Sequence, residues 1–336
     1  MEKAASLFLE EKKMFDEYGR NIDYVRISLT DRCNLRCVYC MPEEGVQLLP
    51  HDDMLTFDEI VRLCRLFADL GIKKIKLTGG EPLCRLNASG LIKQIKELSG
   101  IEQVTLTTNG VELHKYWADL CAAGLDAINI SLDTLDKELY HQITRRDKLD
   151  TVVENIVMAA ESKQMPVKIN CVPMRREQKL YDVASLAKDY DVHVRYIEMM
   201  PIGQGKDFEF YSREATVALL EKQYGKLIPC DEKLGNGPAE YYMIDGFRGK
   251  IGFISAVSHK FCHQCNRVRL TAEGFLKTCL QYDKGVELRS LLRSTASDDE
   301  IKQAIRMAIA NKPFAHHFDE AATETDEQKT MSQIGG

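Results

Sequence analysis

The sequence lacks the features that mark a membrane, secreted or nucleic-acid-binding protein. No apolar run approaches the roughly 20 residues that a transmembrane helix needs. The start, MEKAASLFLEEKKMFDEYGR, has no long apolar segment of the kind that a secretory signal requires. Basic residues are not in excess, because the formal net charge is −6. We therefore expect a cytoplasmic protein with no nucleic-acid partner and no membrane partner.

The composition is that of a globular protein with many thiols. Apolar residues make up 44% and charged residues 29% of the 336 residues. This is enough chain for one large domain or two of ordinary size. Eleven cysteines occur without an export signal. In the reducing compartment that this implies, cysteines are more often metal ligands or buried thiols than disulfides.

Short β-branched stretches alternate with amphipathic segments of helical period, such as the one that begins at the capping-box pattern TFDE. Six strand–helix units predict a parallel sheet, and six are too few for a complete eight-stranded barrel. We expect an α/β fold: an incomplete (β/α)6 TIM-type barrel with a smaller C-terminal β-rich region. The predicted strands are 24–30, 73–80, 103–110, 126–133, 166–172 and 192–200.

The alternation stops near residue 205, where GQGKDFE is typical of a loop. Further on, KLGNGPAEYYMIDGFRGKIGFIS is rich in glycine and aromatic residues and predicts β-hairpins. The acidic, weakly patterned end is typical of a mobile tail. We predict an N-terminal extension at 1–20, the barrel at 21–225, a C-terminal region at 226–320 and a flexible tail at 321–336 that ends in Gly-Gly.

Polar residues occur at or near the end of every predicted strand. Taken singly, TTNG is a turn signal and Ser-x-Asp is often a helix cap. Because the carboxyl ends of parallel strands meet at one rim, together they predict a ligand-lined cup there. These residues are Ser28, Thr30 and Asp31, then Thr78 to Glu81, Thr107 to Gly110, Ser131 and Asp133, Lys168 and Asn170, and Glu198 and Met200.

The stretch DRCNLRCVYC follows the first strand and holds Cys33, Cys37 and Cys40. A structural zinc site takes four protein ligands, and the nearest further candidate, His51, lies eleven residues beyond Cys40. Buried structural thiols are another alternative. A [4Fe–4S] cluster held by three thiolates would leave one iron open, and that iron could chelate the amino and carboxylate groups of a small molecule.

A second group of three cysteines, Cys262, Cys265 and Cys279, lies in FCHQCNRVRLTAEGFLKTCL. On spacing alone, zinc held by these thiols with His259 or His263 stays open. The first group of three favours a second cluster with an open iron instead.

Arg267 and Arg269 follow this second group and fall on one face of a strand by alternation. Together with Arg26 they would form the local cationic cluster that an anionic ligand needs in an acidic chain. Arginine grips phosphate in a bidentate manner, although solvated surface arginines are the common alternative.

These motifs resemble the radical S-adenosylmethionine superfamily, whose signature is a Cx3CxxC loop with an aromatic residue, here Tyr39, before the last cysteine. Over about 20–336 the chain resembles the GTP 3′,8-cyclase family, which acts first in molybdenum cofactor biosynthesis. The motifs that carry this resemblance are RISLTDRCNLRCVYC, KLTGGEPL, TTNG, NISLDTLD, ITRRD, VKIN, GPAEYY, IGFIS, FCHQCNRVRLTAEG and the final GG.

The resemblance implies two [4Fe–4S] clusters and S-adenosylmethionine as cofactors, with GTP as substrate. The implied ligands are Cys33, Cys37 and Cys40 for the catalytic cluster, and Cys262, Cys265 and Cys279 for the auxiliary cluster of the C-terminal region. The implied S-adenosylmethionine contacts are Tyr39, Gly79, Gly80, Glu81, Ser131 and Met200. The implied GTP contacts are Arg26, Lys76, Thr107, Lys168, Arg267, Val268 and Arg269, of which the three arginines are also implied to be catalytic.

The same resemblance implies a reaction and partners. A deoxyadenosyl radical would remove the ribose 3′ hydrogen, and the 3′ carbon would then attack guanine C8. The auxiliary cluster would hold the guanine, and Gly335–Gly336 would reach into the active site. A flavodoxin- or ferredoxin-type electron donor and a homodimer are also implied.

Three stretches depart from the family pattern. Lys76 stands where an arginine is common, Leu86–Asn87 replace a usual Arg–Asp, and MRREQKLYD replaces a stretch that usually includes an asparagine. Two alternatives stay open. One is a radical S-adenosylmethionine enzyme that modifies a peptide side chain, and the other is a non-enzymatic zinc protein.

Overall fold

In the computed structural model, the described residues are 13–174, 177–318, 320, 323 and 326–336. Six strand–helix units form the first part of the chain, as the alternation predicted. The strands are β1 (Tyr24–Ser28), β2 (Lys74–Thr78), β3 (Gln103–Thr108), β4 (Ala127–Ser131), β5 (Val167–Cys171) and β6 (Val192–Ile197). The helices up to the end of this part are α1 (Phe57–Asp69), α2 (Ala88–Lys96), α3 (Leu113–Ala122), α4 (Lys137–Thr144), α5 (Leu149–Ser162), α6 (Leu180–Asp189) and α7 (Arg213–Tyr224).

The C-terminal part is rich in short strands, as expected from its glycine and aromatic content. Its strands are β7 (Ile228–Cys230), β8 (Glu240–Met243), β9 (Ile251–Ile254), β10 (Arg267–Leu270), β11 (Phe275–Lys277) and β12 (Gly285–Glu287). Its helices are α8 (Arg289–Leu292), α9 (Asp298–Ala310) and α10 (Met331–Ile334).

Local sequence signals explain where the outer helices begin and which face they bury. The Thr56 side chain accepts the amide of Glu59, and Glu59 accepts the amide of Thr56, so a complete capping box starts α1. Ile60, Leu63 and Phe67 recur at helical spacing and are fully buried against the sheet. This amphipathic pattern wraps the helices around the outside of the strands.

All the strands belong to one sheet, and β1 to β6 lie side by side in parallel in chain order. The C-terminal strands extend both of its edges. Strand β9 pairs in parallel with β6, while β10 pairs in parallel with β1, and antiparallel strands continue outward on each side. The α/β class and the incomplete barrel are thus confirmed.

The inner face of this curved sheet is polar, whereas its outer face is apolar. Backbone pairing brings one inward-facing residue from each of five neighbouring strands to the same level. These residues are Arg269, Arg26, Lys76, Thr105 and Ala127. Residues between them in sequence, such as Val25 and Ile75, are fully buried in the hydrophobic core. The alternation therefore builds a charged interior inside an apolar shell.

Some elements differ from the sequence predictions. Helices α4 and α9 were not predicted, and the expected loop near 205 contains a 3-10 turn at Gly203–Asp207. Residues 1–12 of the predicted extension, 321–322 and 324–325 of the predicted tail, and 175–176 of MRREQKLYD lie outside the described residues. The domain boundaries themselves stay predictions. Within the described part of the chain, no helix is long and apolar enough to cross a membrane.

The described end of the chain lies against the barrel rather than away from it. Ile334 is 1% exposed, and the carbonyl of Gly335 accepts a 2.7 Å hydrogen bond from the Arg269 guanidinium. The Lys277 ammonium pairs with the Glu327 carboxylate, and both side chains are buried. Residues 326–336 are thus held by polar contacts that their acidic, weakly patterned sequence did not indicate.

Candidate active site

A cavity of about 340 Å³ runs through the interior of the barrel. It is lined by strand residues from β1 to β6, by β10, and by the cysteine-containing loops. All the site residues that the family resemblance implied border this one cavity. Their individual roles stay predictions, but the structure brings them together. Val268 differs from the rest, because its side chain packs in the hydrophobic core, which leaves its backbone to face the cavity.

The two groups of three cysteines lie at opposite ends of this cavity. Cys33, Cys37 and Cys40 follow the carboxyl end of β1. Cys265 instead precedes β10, which runs parallel to β1 with Arg267 paired to Tyr24. The second group therefore lies at the amino ends of the strands, away from the rim where the polar strand ends predicted the chemistry.

The first cysteine loop is fixed by contacts with α4. The amides of Arg36 and Val38 donate to the carbonyls of Thr144 and Ile143, at 3.0 and 2.9 Å. Within the loop, the amide of Leu35 donates to the sulfur of Cys33 at 3.4 Å. The unpredicted helix thus explains how a short irregular loop keeps three thiols on the cavity wall.

The chemistry of this first group fits an iron–sulfur cluster. Burial raises the pKa of the Cys33 and Cys40 thiols to about 12 and that of Cys37 well above its ordinary value. Three half-buried thiols with raised pKa values in one loop therefore need a cationic group to stabilise their thiolates. In the described part of the chain, no three His, Cys, Asp or Glu side chains gather closely enough to hold a single metal ion.

The predicted S-adenosylmethionine residues surround this end of the cavity. The Tyr39 hydroxyl donates to the Asp133 carboxylate at 2.9 Å, which ties the residue before Cys40 to the end of β4. Ser131 closes β4, and Met200 follows β6, so both reach the same rim. These positions agree with a ligand that spans several strand ends.

The glycine pair of the GGE motif is required by the packing of the protein itself. A side chain at Gly80 would overlap the carbonyl oxygen of Arg32, and one at Gly79 would lie 2.7 Å from the carbonyl of Thr30. The amide of Gly80 donates to that Thr30 carbonyl at 2.6 Å. The absence of side chains thus lets this loop pack directly on the start of the cysteine loop.

Glu81 is more constrained than its sequence motif indicates. Its carboxylate accepts hydrogen bonds from the Thr108 hydroxyl at 2.7 Å, the Asn109 amide at 2.7 Å and the Leu83 amide at 3.0 Å. Burial nevertheless raises the pKa of Glu81 to about 7. The carboxylate borders the cavity, but most of its acceptor capacity already holds β3 and the motif loop in place.

Between the two cysteine groups, six basic side chains border the cavity: Arg26, Lys76, Lys168, Arg195, Arg267 and Arg269. No ion pair joins any of them to a carboxylate among the described residues. The Nε atoms of Arg26 and Arg267 are buried, and no described residue gives either of them a hydrogen-bond partner. Buried cations without counter-charges are costly, so this arrangement requires an anionic ligand.

The pKa values of these groups reflect the same lack of counter-charge. Burial, with repulsion from Arg195 and Arg26, lowers the pKa of Lys76 well below its ordinary value. Burial and Arg195 lower the pKa of Lys168 to about 8. Burial together with Arg26 and Arg267 lowers the pKa of Arg269 to about 9. A polyanion in the cavity would reverse each of these shifts.

Arg195 was not identified from the sequence, although it belongs to this group. Its guanidinium donates to the side-chain oxygens of Asn129 at 2.6 Å and Asn170 at 2.5 Å. Asn129 in turn donates to the hydroxyl of Thr107 at 3.3 Å. An arginine within the predicted buried strand VHVRYIEMM, in phase with inward-facing residues, was the signal that could have found it.

The second cysteine group has a more basic environment than the first. Burial opposes the thiolate of Cys265, but the neighbouring charges of Lys312 and Arg267 together lower its pKa to about 7. His259 and His263, the histidines that a zinc site would have used, do not border the cavity, whereas Cys262 and Cys279 do. The cavity wall at this end thus again carries three thiols, and it also carries His316.

The departures from the family pattern have different structural contexts. Lys76 lies in the cationic cluster itself. Leu86 is largely exposed, and Asn87 adopts the left-handed conformation, with φ of 62°, ahead of α2. In MRREQKLYD, the Gln178 amide donates to the carbonyl of Asp133 at 2.5 Å, next to the Tyr39 contact. Among the described residues of these three stretches, Lys76 alone belongs to the cationic cluster.

Comparison with known proteins was made by family, by sequence and by structure. The radical SAM superfamily matches residues 27–187, and the Molybdenum Cofactor Synthesis C family matches residues 192–318. A GTP 3′,8-cyclase of Syntrophomonas wolfei is 46% identical over 331 residues, which cover 96% of this chain and 100% of that protein. A GTP 3′,8-cyclase of Desulforamulus reducens is 43% identical over 328 residues, with 96% and 100% covered.

Among solved structures, Streptococcus suis SuiB bound to S-adenosylmethionine superposes with a TM-score of 0.60 at 14% identity, over 88% of this chain and 69% of SuiB. SuiB bound to its precursor peptide SuiA gives a TM-score of 0.57 at 14% identity, over 99% and 74%. At this identity the likeness shows the fold alone.

The partial barrel and its cysteine loop define a radical S-adenosylmethionine protein, a class that uses S-adenosylmethionine with an iron–sulfur cluster. Sequence identity over nearly the whole length then decides the family. The chain belongs to the GTP 3′,8-cyclase family of molybdenum cofactor biosynthesis. This membership decides against the two alternatives, a peptide-modifying enzyme and a non-enzymatic zinc protein.

Proposed function

We propose that this protein converts GTP to (8S)-3′,8-cyclo-7,8-dihydroguanosine 5′-triphosphate, the first step of molybdenum cofactor biosynthesis. One observation carries the proposal beyond family membership. A single cavity has three thiols at each end and unpaired buried cations between them. This arrangement fits a ligand that is anionic at one part and can reach a metal centre with another, and a nucleoside triphosphate is such a ligand.

The thiols would hold two [4Fe–4S] clusters. Cys33, Cys37 and Cys40 would bind the catalytic cluster, and Cys262, Cys265 and Cys279 the auxiliary cluster, each with one iron free for a small ligand. When bound, the catalytic cluster and S-adenosylmethionine supply a reductive cleavage that generates a carbon radical. Tyr39, Gly79, Gly80, Glu81, Ser131 and Met200 would orient S-adenosylmethionine at that end.

The cationic interior would bind and orient GTP. Lys168 and Arg195 lie on the neighbouring strands β5 and β6, and Lys76 lies on β2 beside Arg26; these three side chains would hold the triphosphate and take up its charge. Arg26, Arg267 and Arg269 line the β1–β10 side next to the second thiol group, where they would fix the nucleoside between the two metal centres. Thr107 and the backbone of Val268 complete the proposed contacts. Apolar packing outside the strands keeps bulk water from this interior.

The remaining partners and boundaries are part of the same proposal. The reaction needs an electron from a flavodoxin- or ferredoxin-type donor, and we propose a homodimer. The barrel would comprise 21–225 and the auxiliary-cluster region 226–320. The first twenty residues would form an extension, and Gly335–Gly336 would take part at the active site, next to Arg269.

Anaerobic incubation with GTP, S-adenosylmethionine and a reductant, followed by chromatographic separation and mass analysis of the nucleotides, tests the function. We expect a product isomeric with GTP that forms together with 5′-deoxyadenosine. Cys279→Ser provides the control, since S-adenosylmethionine cleavage should survive while the cyclic product is lost. Colourless protein loaded with zinc, or GTP recovered unchanged, would contradict the proposal.

A further inference from the structure

Arg20 lies just before β1 and has no part in the function described so far. It is only 7% exposed, although it carries a full charge. An arginine side chain has five N–H donors, and all five are bonded here. Nε donates to the Asp16 carboxylate at 2.5 Å; Nη1 donates to the carbonyls of Cys262 at 2.9 Å and Phe314 at 2.8 Å; Nη2 donates to the carbonyls of Pro313 at 2.8 Å and Lys312 at 3.4 Å.

The four carbonyls come from two distant segments that meet at the second thiol group. Cys262 is the first cysteine of that group. Residues 312–314 follow α9, and all three border the cavity beside these thiols. Arg20 thus joins the segment before β1 to two segments that lie more than two hundred residues further along the chain.

The same segment also contacts the rest of the cysteine group. The Lys312 ammonium donates to the carbonyl of Thr278, the residue before Cys279. The 312–314 segment therefore contacts the residue before the last cysteine of the group, and Arg20, which fixes where this segment lies, also bonds the carbonyl of the first cysteine.

We infer that Arg20 is a positioning residue for the auxiliary metal site: through main-chain carbonyls, it holds Cys262 and the 312–314 segment in the arrangement in which the second thiol group binds its cluster. This inference rests on the proposed function, because it takes these thiols as cluster ligands. Lysine has three donors on a compact charge and cannot bond the four carbonyls and Asp16 at once. Residues that orient metal ligands commonly change metal affinity by roughly 10–100-fold when replaced.

The test uses full-length protein in which Cys33, Cys37 and Cys40 are all serine, so that only the second group can bind a cluster. Iron per chain after anaerobic reconstitution, the electron paramagnetic resonance spectrum of the reduced protein, and resistance of the iron to a chelator are measured. We expect Arg20→Lys to alter the spectrum and to lose iron to the chelator at least about tenfold more readily.

Arg293→Lys is the matched control. Arg293 also bonds a carboxylate, Glu59, together with the carbonyls of Met54 and Asp52, but none of these residues borders the cavity. We expect its iron content and spectrum to equal those of the parent. Asp16→Asn is a milder second variant, since it leaves the four carbonyl acceptors of Arg20 in place. It should shift the electron paramagnetic resonance spectrum in the same direction as Arg20→Lys.

The outcomes separate this inference from the proposed function. If the parent binds four irons and both Arg20→Lys and Asp16→Asn keep its spectrum and chelator resistance, Arg20 does not position the site. If Arg20→Lys fails to fold in a thermal scan, the spectrum of folded Asp16→Asn decides. A parent that binds no iron–sulfur cluster at the second group overturns the proposed auxiliary cluster, and this inference with it.

Discussion

The hydroxyl of Tyr39 donates a 2.9 Å hydrogen bond to the carboxylate of Asp133, which joins the cysteine loop to the end of β4. The other oxygen of Asp133 accepts the amide of Val172 at 2.8 Å. Burial raises the pKa of Asp133 to about 6 even though both contacts oppose that shift. The loop that carries Cys33, Cys37 and Cys40 is thus attached to the barrel through a buried carboxylate.

Tyr39→Phe should destabilise the metal-free protein by about 1–3 kcal/mol, because it leaves a buried carboxylate oxygen without its donor. Chemical denaturation measures this free energy of unfolding. Tyr140→Phe is the control, since the Tyr140 hydroxyl is buried with no hydrogen-bond partner in the described part of the chain, and its removal should be neutral or stabilising. Equal destabilisation by both variants would mean that the Asp133 contact contributes nothing specific.

When GTP binds, the protein should take up protons, and the Lys168 side chain should account for part of this uptake. Below pH 8 this side chain is already charged, because its pKa is about 8. Above that value it is neutral, and binding of a polyanion must recruit a proton, so affinity should fall up to about tenfold per pH unit. Calorimetry in buffers of different ionisation enthalpy measures this uptake.

Lys168→Arg is the informative variant for that experiment, since a guanidinium stays charged throughout this pH range. We expect it to bind GTP with less proton uptake at pH 9 than the parent. Uptake that is identical in the two proteins would assign the titration to another group.

Lys76→Met and Lys277→Met should change stability in opposite directions. Lys76 is a buried cation without a carboxylate partner among the described residues, so its removal should stabilise the ligand-free protein by about 1–3 kcal/mol and reduce GTP cyclisation at least about tenfold. Lys277 is buried and paired with Glu327, so its removal should cost about 3–5 kcal/mol. Thermal unfolding of the two variants shows whether each change raises or lowers stability. If Lys76→Met were less stable than the parent, the charge of Lys76 would be compensated in the ligand-free protein.

Arg267→Ala should abolish cyclisation while both clusters stay bound. The side chain lies over the ring of Tyr24, and its buried Nε has no partner in the structure, which is the state expected of a group that awaits a ligand. Product analysis and iron content, measured on the same sample, test this. Cyclisation of GTP at the parent rate would remove Arg267 from the substrate site.

Gly80→Ala should weaken the first metal site by displacing the cysteine loop. A side chain at Gly80 would overlap the carbonyl oxygen of Arg32, and backbone cannot move aside as a flexible side chain can. We expect lower iron content and a lower melting temperature. Gly237→Ala, where a side chain would meet nothing within 4 Å, should match the parent in both measurements.

The sequence was sufficient for the parallel strands, because β-branched runs bounded by turns define strands well. It was also sufficient for the cysteine groups, whose spacing is independent of the fold. It did not indicate α4, since KELYHQIT is short and follows a predicted strand closely. The contacts that this helix makes with Arg36 and Val38 depend on tertiary packing, which local periodicity cannot express.

Two aspects of the site depended on topology rather than on motifs. The second thiol group lies at the amino ends of the strands only because β10 pairs in parallel with β1, a pairing across more than two hundred residues. Arg195 gains its importance from Asn129 and Asn170 on the adjacent strands. Neither relation leaves a local pattern, so the sequence alone identified the components but not which end of the barrel each one occupies.

The parallel pairing of β1 with β10 also has a dimensional consequence. Thiols of the first group follow the last residue of β1, whereas Cys265 of the second group precedes the first residue of β10, so the length of the strands fixes how far apart the two thiol groups lie. Five residues of extended chain span about 16 Å. Loop motion can change access to the cavity, but a ligand that is to reach both thiol groups must match a separation set by the rigid sheet.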